Sequence, residues 1–329
     1  MALDLLADDS VTNRTWPAPA EGVLNVTFYV MGADEVGAAG NFWTTMADFP
    51  APTPTTLYLT PAGALSAAPP TAADGARAYA YDPAAPVPTV GGDNLEIKCG
   101  PLDQRKLEGR GDVLVFTTAP LAEAMAITGG PLAEIFMSTS VVDTDIVVKL
   151  IDVYPATDPG DPLFSGASIL VLDGISRMKW RNWRTDNAEA LLSGSPADVY
   201  ATTVGLWNTS YIFNKGHSIR VHVSSSNHPR FLPNPNTGDS FGSSNITAHT
   251  TIHLSSAHPS SITLPVVPLA ALPPFPIEDA VDALEKKFAP EWAALTEERR
   301  GGAAGLGEWL SGKFEKATAA HRARWGAKR

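Results

Sequence analysis

The sequence predicts an all-β domain, a sandwich or jelly roll, followed by a C-terminal α-helical tail. Three observations carry that reading. Runs rich in β-branched and aromatic residues recur at short intervals from about Val23 to Pro265, which is the spacing of a sandwich. The 329 residues include 28 Pro and 27 Gly, a content that suits many turns and short strands. Beyond Pro265 the chain turns to Ala, Glu, Lys and Leu at helical spacing. A closed barrel fits less well, because the runs are uneven in length.

Residues 1–22 show no periodicity and end in Trp16-Pro17-Ala18-Pro19, as a remnant or linker ahead of a β domain spanning 23–265. Residues 23–31 alternate and read as the first strand, stopped by Gly32-Ala33-Asp34. Phe42, Trp43, Phe49 and Pro50 mark an aromatic loop. Short extended pieces follow at 56–59 and 76–81, with a turn at 63–66 between them. Residues 82–92 hold three prolines and two adjacent glycines, the composition of a surface linker. Residues 100–116 begin as a charged turn and feed the apolar run Val113 to Phe116. That stretch looks like an entrance to the β domain, but the strands before it make it an internal seam. Further strands are expected at 112–118, 132–138, 146–154, 168–172, 175–180, 198–206, 218–224 and 246–254. Residues 121–128 are ambiguous, since Ala, Glu and Met there suit a helix equally well. Residues 266–276 read as a Pro-rich linker and 277–329 as the helical tail. The tail is either a solvated appendage or an amphipathic element that recruits a partner.

Composition narrows the function. A formal net charge of -11 argues against nucleic acid, whose phosphates require a basic surface. The single cysteine, Cys99, excludes an internal disulfide framework. The first residues lack the basic and apolar regions of a signal peptide, and no apolar run approaches the roughly 20 residues of a membrane-spanning helix. A soluble chain is expected, with the cytoplasm favoured. Sequons at Asn13, Asn25, Asn208 and Asn245 read as chance matches in that setting.

Chemistry-bearing motifs are few. Gly238-Asp239-Ser240-Phe241-Gly242 matches the nucleophile-elbow pattern, which requires a strand before the serine and a helix after it. Pro233 and Pro235 oppose the strand, and residues 243–247 are a poor helix start, so Ser240 reads as a decoy. His217 and His222 differ by five positions and fall on opposite faces of a continuous strand. His249 and His253 share a face without a nearby carboxylate or Cys to complete a zinc set. No metal or other cofactor is expected, and His217 is read as fixing the turn into the strand at 219–223. Asp143-Thr144-Asp145 opens the strongest strand. The two carboxylates could bind a cation or act as acid and base, or hold the strand start. Arg177 is near enough in sequence to pair with such an aspartate across adjacent strands.

Taken in order, many of these residues are familiar. They include Phe28-Tyr29-Val30-Met31-Gly32-Ala33, Tyr81-Asp82-Pro83, Gly100-Pro101-Leu102-Asp103-Gln104-Arg105 with Glu108, Arg110 and Asp112, and Asp143-Thr144-Asp145 with Lys149-Leu150 and Asp152-Val153. Asp173-Gly174-Ile175, Leu206-Trp207, Gly216-His217, Arg220-Val221, Ser225-Ser226-Asn227-His228-Pro229-Arg230-Phe231 and Asn234-Pro235-Asn236-Thr237-Gly238 complete the series. From about Val26 to Pro265 the chain resembles the C-terminal β domain of the X-Pro dipeptidyl-peptidase / cocaine esterase (CocE/NonD) serine hydrolases. The resemblance implies a jelly roll of the galactose-binding-like type. In that family the catalytic Ser, Asp and His lie in a preceding α/β-hydrolase domain, so none is carried over to this chain. What is implied is a non-catalytic domain, inactive alone, whose partner is an α/β-hydrolase domain or chain; a homo-oligomer is a further option. Asp103, Arg105, Glu108 and Arg110, with Asp143, Asp145 and His217, are the candidate residues of the interface with that partner. The alternative is a stand-alone carbohydrate- or ligand-binding module, with Trp43, Trp180, Trp183 and Trp207 as stacking surfaces.

Overall fold

The alternating runs pair into two sheets. The computed structural model describes residues 24–94, 97–156, 164–182, 185–186, 188–239 and 244–276. Val26–Pro274 form one compact unit, distinct from a second made of Met1–Asn25 and Phe275–Arg329. Fifteen strands occur among the described residues. They are β1 (Val26–Gly32), β2 (Phe42–Met46), β3 (Thr53–Leu59), β4 (Leu65–Ser66) and β5 (Ala76–Tyr81). Then come β6 (Leu114–Thr117), β7 (Met125–Gly129), β8 (Leu132–Thr139), β9 (Asp145–Val153) and β10 (Ser168–Arg177). The last are β11 (Tyr200–Gly205), β12 (Thr209–Phe213), β13 (Ser218–Ser224), β14 (Ala248–His253) and β15 (Ser261–Val267). One helical turn, α1 (Arg105–Glu108), precedes β6, and a 3-10 turn (Met178–Trp180) follows β10.

The larger sheet runs β2-β1-β12-β7-β15-β8-β14-β5, with β11 also on β8, β3 on β15 and β4 on β3. The smaller runs β10-β9-β13-β6. Neither path closes into a barrel. The larger sheet is mixed, since β1 and β12 pair in parallel. Period-two patterning explains the core between the sheets. Ile146, Val148 and Leu150 of β9, with Ile219, Val221 and Val223 of β13, meet Ile135 and Met137 of β8 and Ile252 of β14 in one apolar cluster. The opposite face of β9 is buried as well, so its pattern is a continuous apolar run. Cover for that face includes Gln104, bonded to Lys149; nearby, Val87, Val90, Leu107 and Val113 form a second cluster with Leu102 and Val115. Gly91 lets this cover turn back on itself. Its φ is 66°, and a Cβ there would lie 2.3 Å from the Gly100 carbonyl oxygen.

Several elements differ from the sequence reading, each for a tertiary reason. The aromatic loop at 42–46 is β2, held by antiparallel pairing with β1 in which Tyr29 opposes Trp43. β12 occupies a stretch that the sequence reading leaves unassigned, between β1 and β7. The two strands expected at 168–172 and 175–180 are one strand, β10, with a register shift between Leu170 and Leu172. The expected linker at 266–276 is tied down instead. β15 continues through Val267, Leu272 is 2% exposed, and Thr44 Oγ1 donates to the Pro273 carbonyl at 2.8 Å. The segments 1–22 and 277–329, with the expected helices, lie outside the described residues.

Candidate functional site

The charged stretch at 100–112 is the place to begin, because the fold presses it onto the smaller sheet. Asp103 Oδ1 caps the start of α1 by accepting from the Arg105 amide at 3.0 Å, and it also accepts from the Ser168 amide of β10 at 3.1 Å. Arg105 donates from Nε to Asp103 Oδ2 at 2.6 Å and from Nη1 to the Ser165 carbonyl at 3.1 Å. Glu108 accepts from Arg220 Nη1 of β13 at 2.6 Å. His222 Nε2 lies 3.5 Å from the same carboxylate oxygen. Burial alone would raise the Glu108 pKa, but the nearby His222, Ser168 and Arg220 outweigh it and bring it down to about 2. Arg110 holds Asp112 with two bonds, at 2.8 and 2.7 Å, and reaches the Ala85 carbonyl at 2.9 Å.

Beneath this cover lies a polar group that the sequence reading did not single out. Lys149 sits in mid-strand, 2% exposed, and donates to Gln104 Oε1 at 3.1 Å. Burial lowers its pKa to about 8 against the opposing pull of Asp173. Asp173 in turn accepts from Arg230 and from Asn227 Nδ2, the latter at 2.9 Å. The signal for this cluster was a lone lysine inside the strongest apolar run of the chain.

Asp143 and Asp145 lie side by side with protein donors around them. Arg177 Nε donates to Asp143 Oδ2 at 2.7 Å, an Asp–Arg pair of the kind the sequence reading allowed though made just before β9, and the Lys179 amide donates to Asp143 Oδ1 at 3.0 Å. Asn234 Nδ2 donates to Asp145 Oδ1 at 2.8 Å, while the Asn234 carbonyl accepts from Tyr81 Oη at 3.1 Å. Burial first, and the neighbouring charge of Asp143 second, push the Asp145 pKa up to about 7 despite the Asn234 bond. The pair thereby fastens the 231–239 loop to the start of β9.

His217 is buried between two carboxylates. Its Nδ1 is 2.9 Å from Asp152 Oδ1, and its Nε2 is 3.1 Å from Glu35 Oε1. The turn it was expected to fix exists, with its own amide donating to the Asn214 carbonyl at 3.2 Å. The ring, however, reaches much further. Glu35 is 182 positions away in sequence, so no local pattern pointed to it.

Ser240 and Trp183 lie outside the described residues. The described residues 244–247 that follow the serine form neither helix nor strand and lead into β14. Elsewhere, Ser138 Oγ lies 3.0 Å from His253 Nε2, but Ser138 is 1% exposed and the ring's aromatic neighbour is His258. Among the described residues no group of three or more His, Cys, Asp or Glu is placed to hold a metal ion. None of their helices is long and apolar enough to cross a membrane. An open cleft of about 890 Å³ lies beside the β10–β11 seam, and its lining includes Leu132, Arg177, Trp180 and Trp207. Trp207 is 71% exposed on a left-handed backbone with φ of 68°, an uncommon setting for a bulky residue. Trp43 is exposed at the sheet edge, packed edge-on against Tyr29.

Fold and site together define an all-β domain of two facing sheets, fastened by buried charge networks that tie its loops to its strands. Residues 22–263 match the family described as the X-Pro dipeptidyl-peptidase C-terminal non-catalytic domain, and the chain belongs to that family. It is 36% identical over 262 residues to the cocaine esterase of Rhodococcus sp. (strain MB1 Bresler), covering 75% of this chain and 42% of that protein. Among solved structures, an aminopeptidase from a marine sediment Thaumarchaeota archaeon aligns with a TM-score of 0.61 at 32% identity, over 69% of this chain and 39% of that one. An α-amino acid ester hydrolase aligns with the same TM-score, identity and coverage. The chain therefore spans less than half the length of these relatives.

Proposed function

We propose that this chain is the jelly-roll, galactose-binding-like β domain of a serine hydrolase acting on esters or amides, and that it supports an α/β-hydrolase catalytic domain. One observation carries the reading: the match to the family's non-catalytic domain, in a chain that spans 42% of its esterase relative. The site residues suit this role in two ways. Asp103 and Arg105 keep 31% and 39% of their side-chain surface open, and together with Arg110 they offer charged contacts to a partner. Glu108, Asp143, Asp145 and His217 act from inside, by fixing the loops that form the contact surface. A second copy of the chain is the alternative partner. The carbohydrate-binding reading is not favoured, since the relatives are hydrolases.

The test is enzymatic. The purified chain is expected to leave p-nitrophenyl esters and Xaa-Pro anilides unhydrolysed and to resist labelling by a fluorophosphonate serine probe. Turnover that disappears in Ser240→Ala would overturn the proposal.

A further inference from the structure

Where β1 ends, the 33–41 loop is fastened through His217, whose supporting role proposed above leaves its two carboxylate partners unexplained. His217 is 1% exposed, and each of its ring nitrogens faces a carboxylate oxygen: Asp152 on β9 at 2.9 Å and Glu35 in the loop at 3.1 Å. A neutral imidazole offers one N–H donor and one lone pair, whereas an imidazolium offers two donors. Only the charged ring satisfies both contacts. The neutral ring must turn a lone pair toward one of the carboxylates.

The two ends of this relay are not equivalent. Asp152 is fully buried on a central strand and accepts a further bond from Tyr211 Oη of β12 at 2.8 Å. Glu35 has 37% of its side chain open and sits on the loop, where its other partner is Asn214 Nδ2. The same loop is held by the Asp34 amide donating to Tyr154 Oη at 2.8 Å and the Ala39 amide donating to Asn214 Oδ1 at 3.0 Å. The Tyr154 ring packs 4.6 Å from the His217 ring. The titratable groups facing the histidine are therefore Asp152 and Tyr154 from β9 and its exit, Tyr211 from β12, and Asp34 and Glu35 from the loop. Lys215, on the turn before β13, is engaged by Glu123 at 3.1 Å.

We propose that Glu35, His217 and Asp152 form a pH-sensitive latch, which holds the 33–41 loop while the ring carries both protons and releases it when Nε2 loses its proton to solvent. Nδ1 keeps its proton, because Asp152 is the buried and fixed end. Burial by itself would lower the ring's pKa, but the bond and charge of Asp152, followed by Glu35, outweigh it and raise it above 6.5. A group whose pKa is raised on folding gives its stabilisation in full below the free value and loses it as pH rises through the folded value. The latch is thus closed while the ring is doubly protonated and opens as pH rises through the ring's folded pKa.

Amide hydrogen exchange of the full chain tests this. Each pH unit by which the folded ring's pKa exceeds its free value is worth about tenfold in the closed-to-open equilibrium. Protection at the Asp34 and Ala39 amides, corrected for intrinsic exchange, is expected to fall as pH rises from about 6 to about 9.5, while Val148 in β9 stays protected. In Glu35→Gln the amide can donate to a neutral Nε2, so loop protection should become independent of pH. Equal loop protection at both pH values in the native chain would overturn the proposal. So would a Glu35→Gln variant with the native pH dependence.

Discussion

Glu108 shows how a single charged side chain is used here. It lies in α1, yet its partner Arg220 is 112 positions away on β13, and both side chains are about one-fifth exposed. Removing one member of such a pair leaves the other desolvated without compensation. Glu108→Ala is expected to cost about 2–3 kcal/mol of unfolding free energy, measured by urea denaturation near neutral pH, allowing for the partial exposure of the pair. Asp145 gives a prediction of the opposite sense. Its pKa is raised to about 7, so between its free value and about pH 7 the folded state holds more protons than the unfolded chain. Its contribution to stability therefore falls as pH rises through that window. Asp145→Asn keeps an acceptor for Asn234 and removes the charge. The variant should be more stable than the native chain at about pH 8, by about 1–3 kcal/mol, and indistinguishable from it near pH 4. Thermal melts at the two pH values decide the matter, and a variant less stable at pH 8 would refute the assignment.

At the scale of elements, the informative contact is the one between β10 and β11, where an edge of the smaller sheet meets the larger. Ser176 Oγ and Thr202 Oγ1 bridge the two strands at 2.9 Å. Gly174 lies inside β10, where the sequence reading places a break between two strands. The strand is continuous because the absent side chain admits β11: a Cβ at this position would lie 2.3 Å from the Gly205 carbonyl oxygen. Gly174→Ala should therefore lower stability by about 2–3 kcal/mol or more, through overpacking against rigid backbone. Gly109 is the control, since a Cβ there meets nothing within 4 Å. Gly109→Ala should stay within about 0.5 kcal/mol of the native chain. Equal melting temperatures for the two variants would show that the strands can separate at no cost. Pairing neighbours likewise explain why β2 and β12 were harder to read than β9. A strand buried on both faces announces itself by an unbroken apolar run, whereas Phe42–Met46 and Thr209–Phe213 become strands through the neighbours that pair with them.

For the whole molecule, the unit Val26–Pro274 contains both sheets and the core between them. A fragment of residues 24–276 is expected to fold by itself with a single cooperative urea transition. A broad or biphasic transition in that fragment, set against a single one in the full chain, would mean that the unit depends on the segments removed. Its relatives are matched over only 42% and 39% of their own length, and the domain itself carries charged loops on a fixed scaffold. The cover over β9 is tied to strands by the partly exposed carboxylates of Asp103 and Glu108, and the 231–239 loop by the buried ones of Asp143 and Asp145.

The all-β class and the β9 strand were legible from the order of residues, because alternation is a local property of the chain. The long series of matched residues likewise pointed to the family before any coordinate was known. Tertiary structure alone decided what the charged groups do. Residues 100–112 were read as ties toward a partner, and the fold shows which bonds they make at home, to Ser168, Arg220 and Ala85. Glu35, His217 and Asp152 carry no shared signature in one dimension. They meet because β1, β9 and β13 end at the same edge of the domain, and contacts between residues so far apart in sequence are set by sheet topology, which no local pattern encodes.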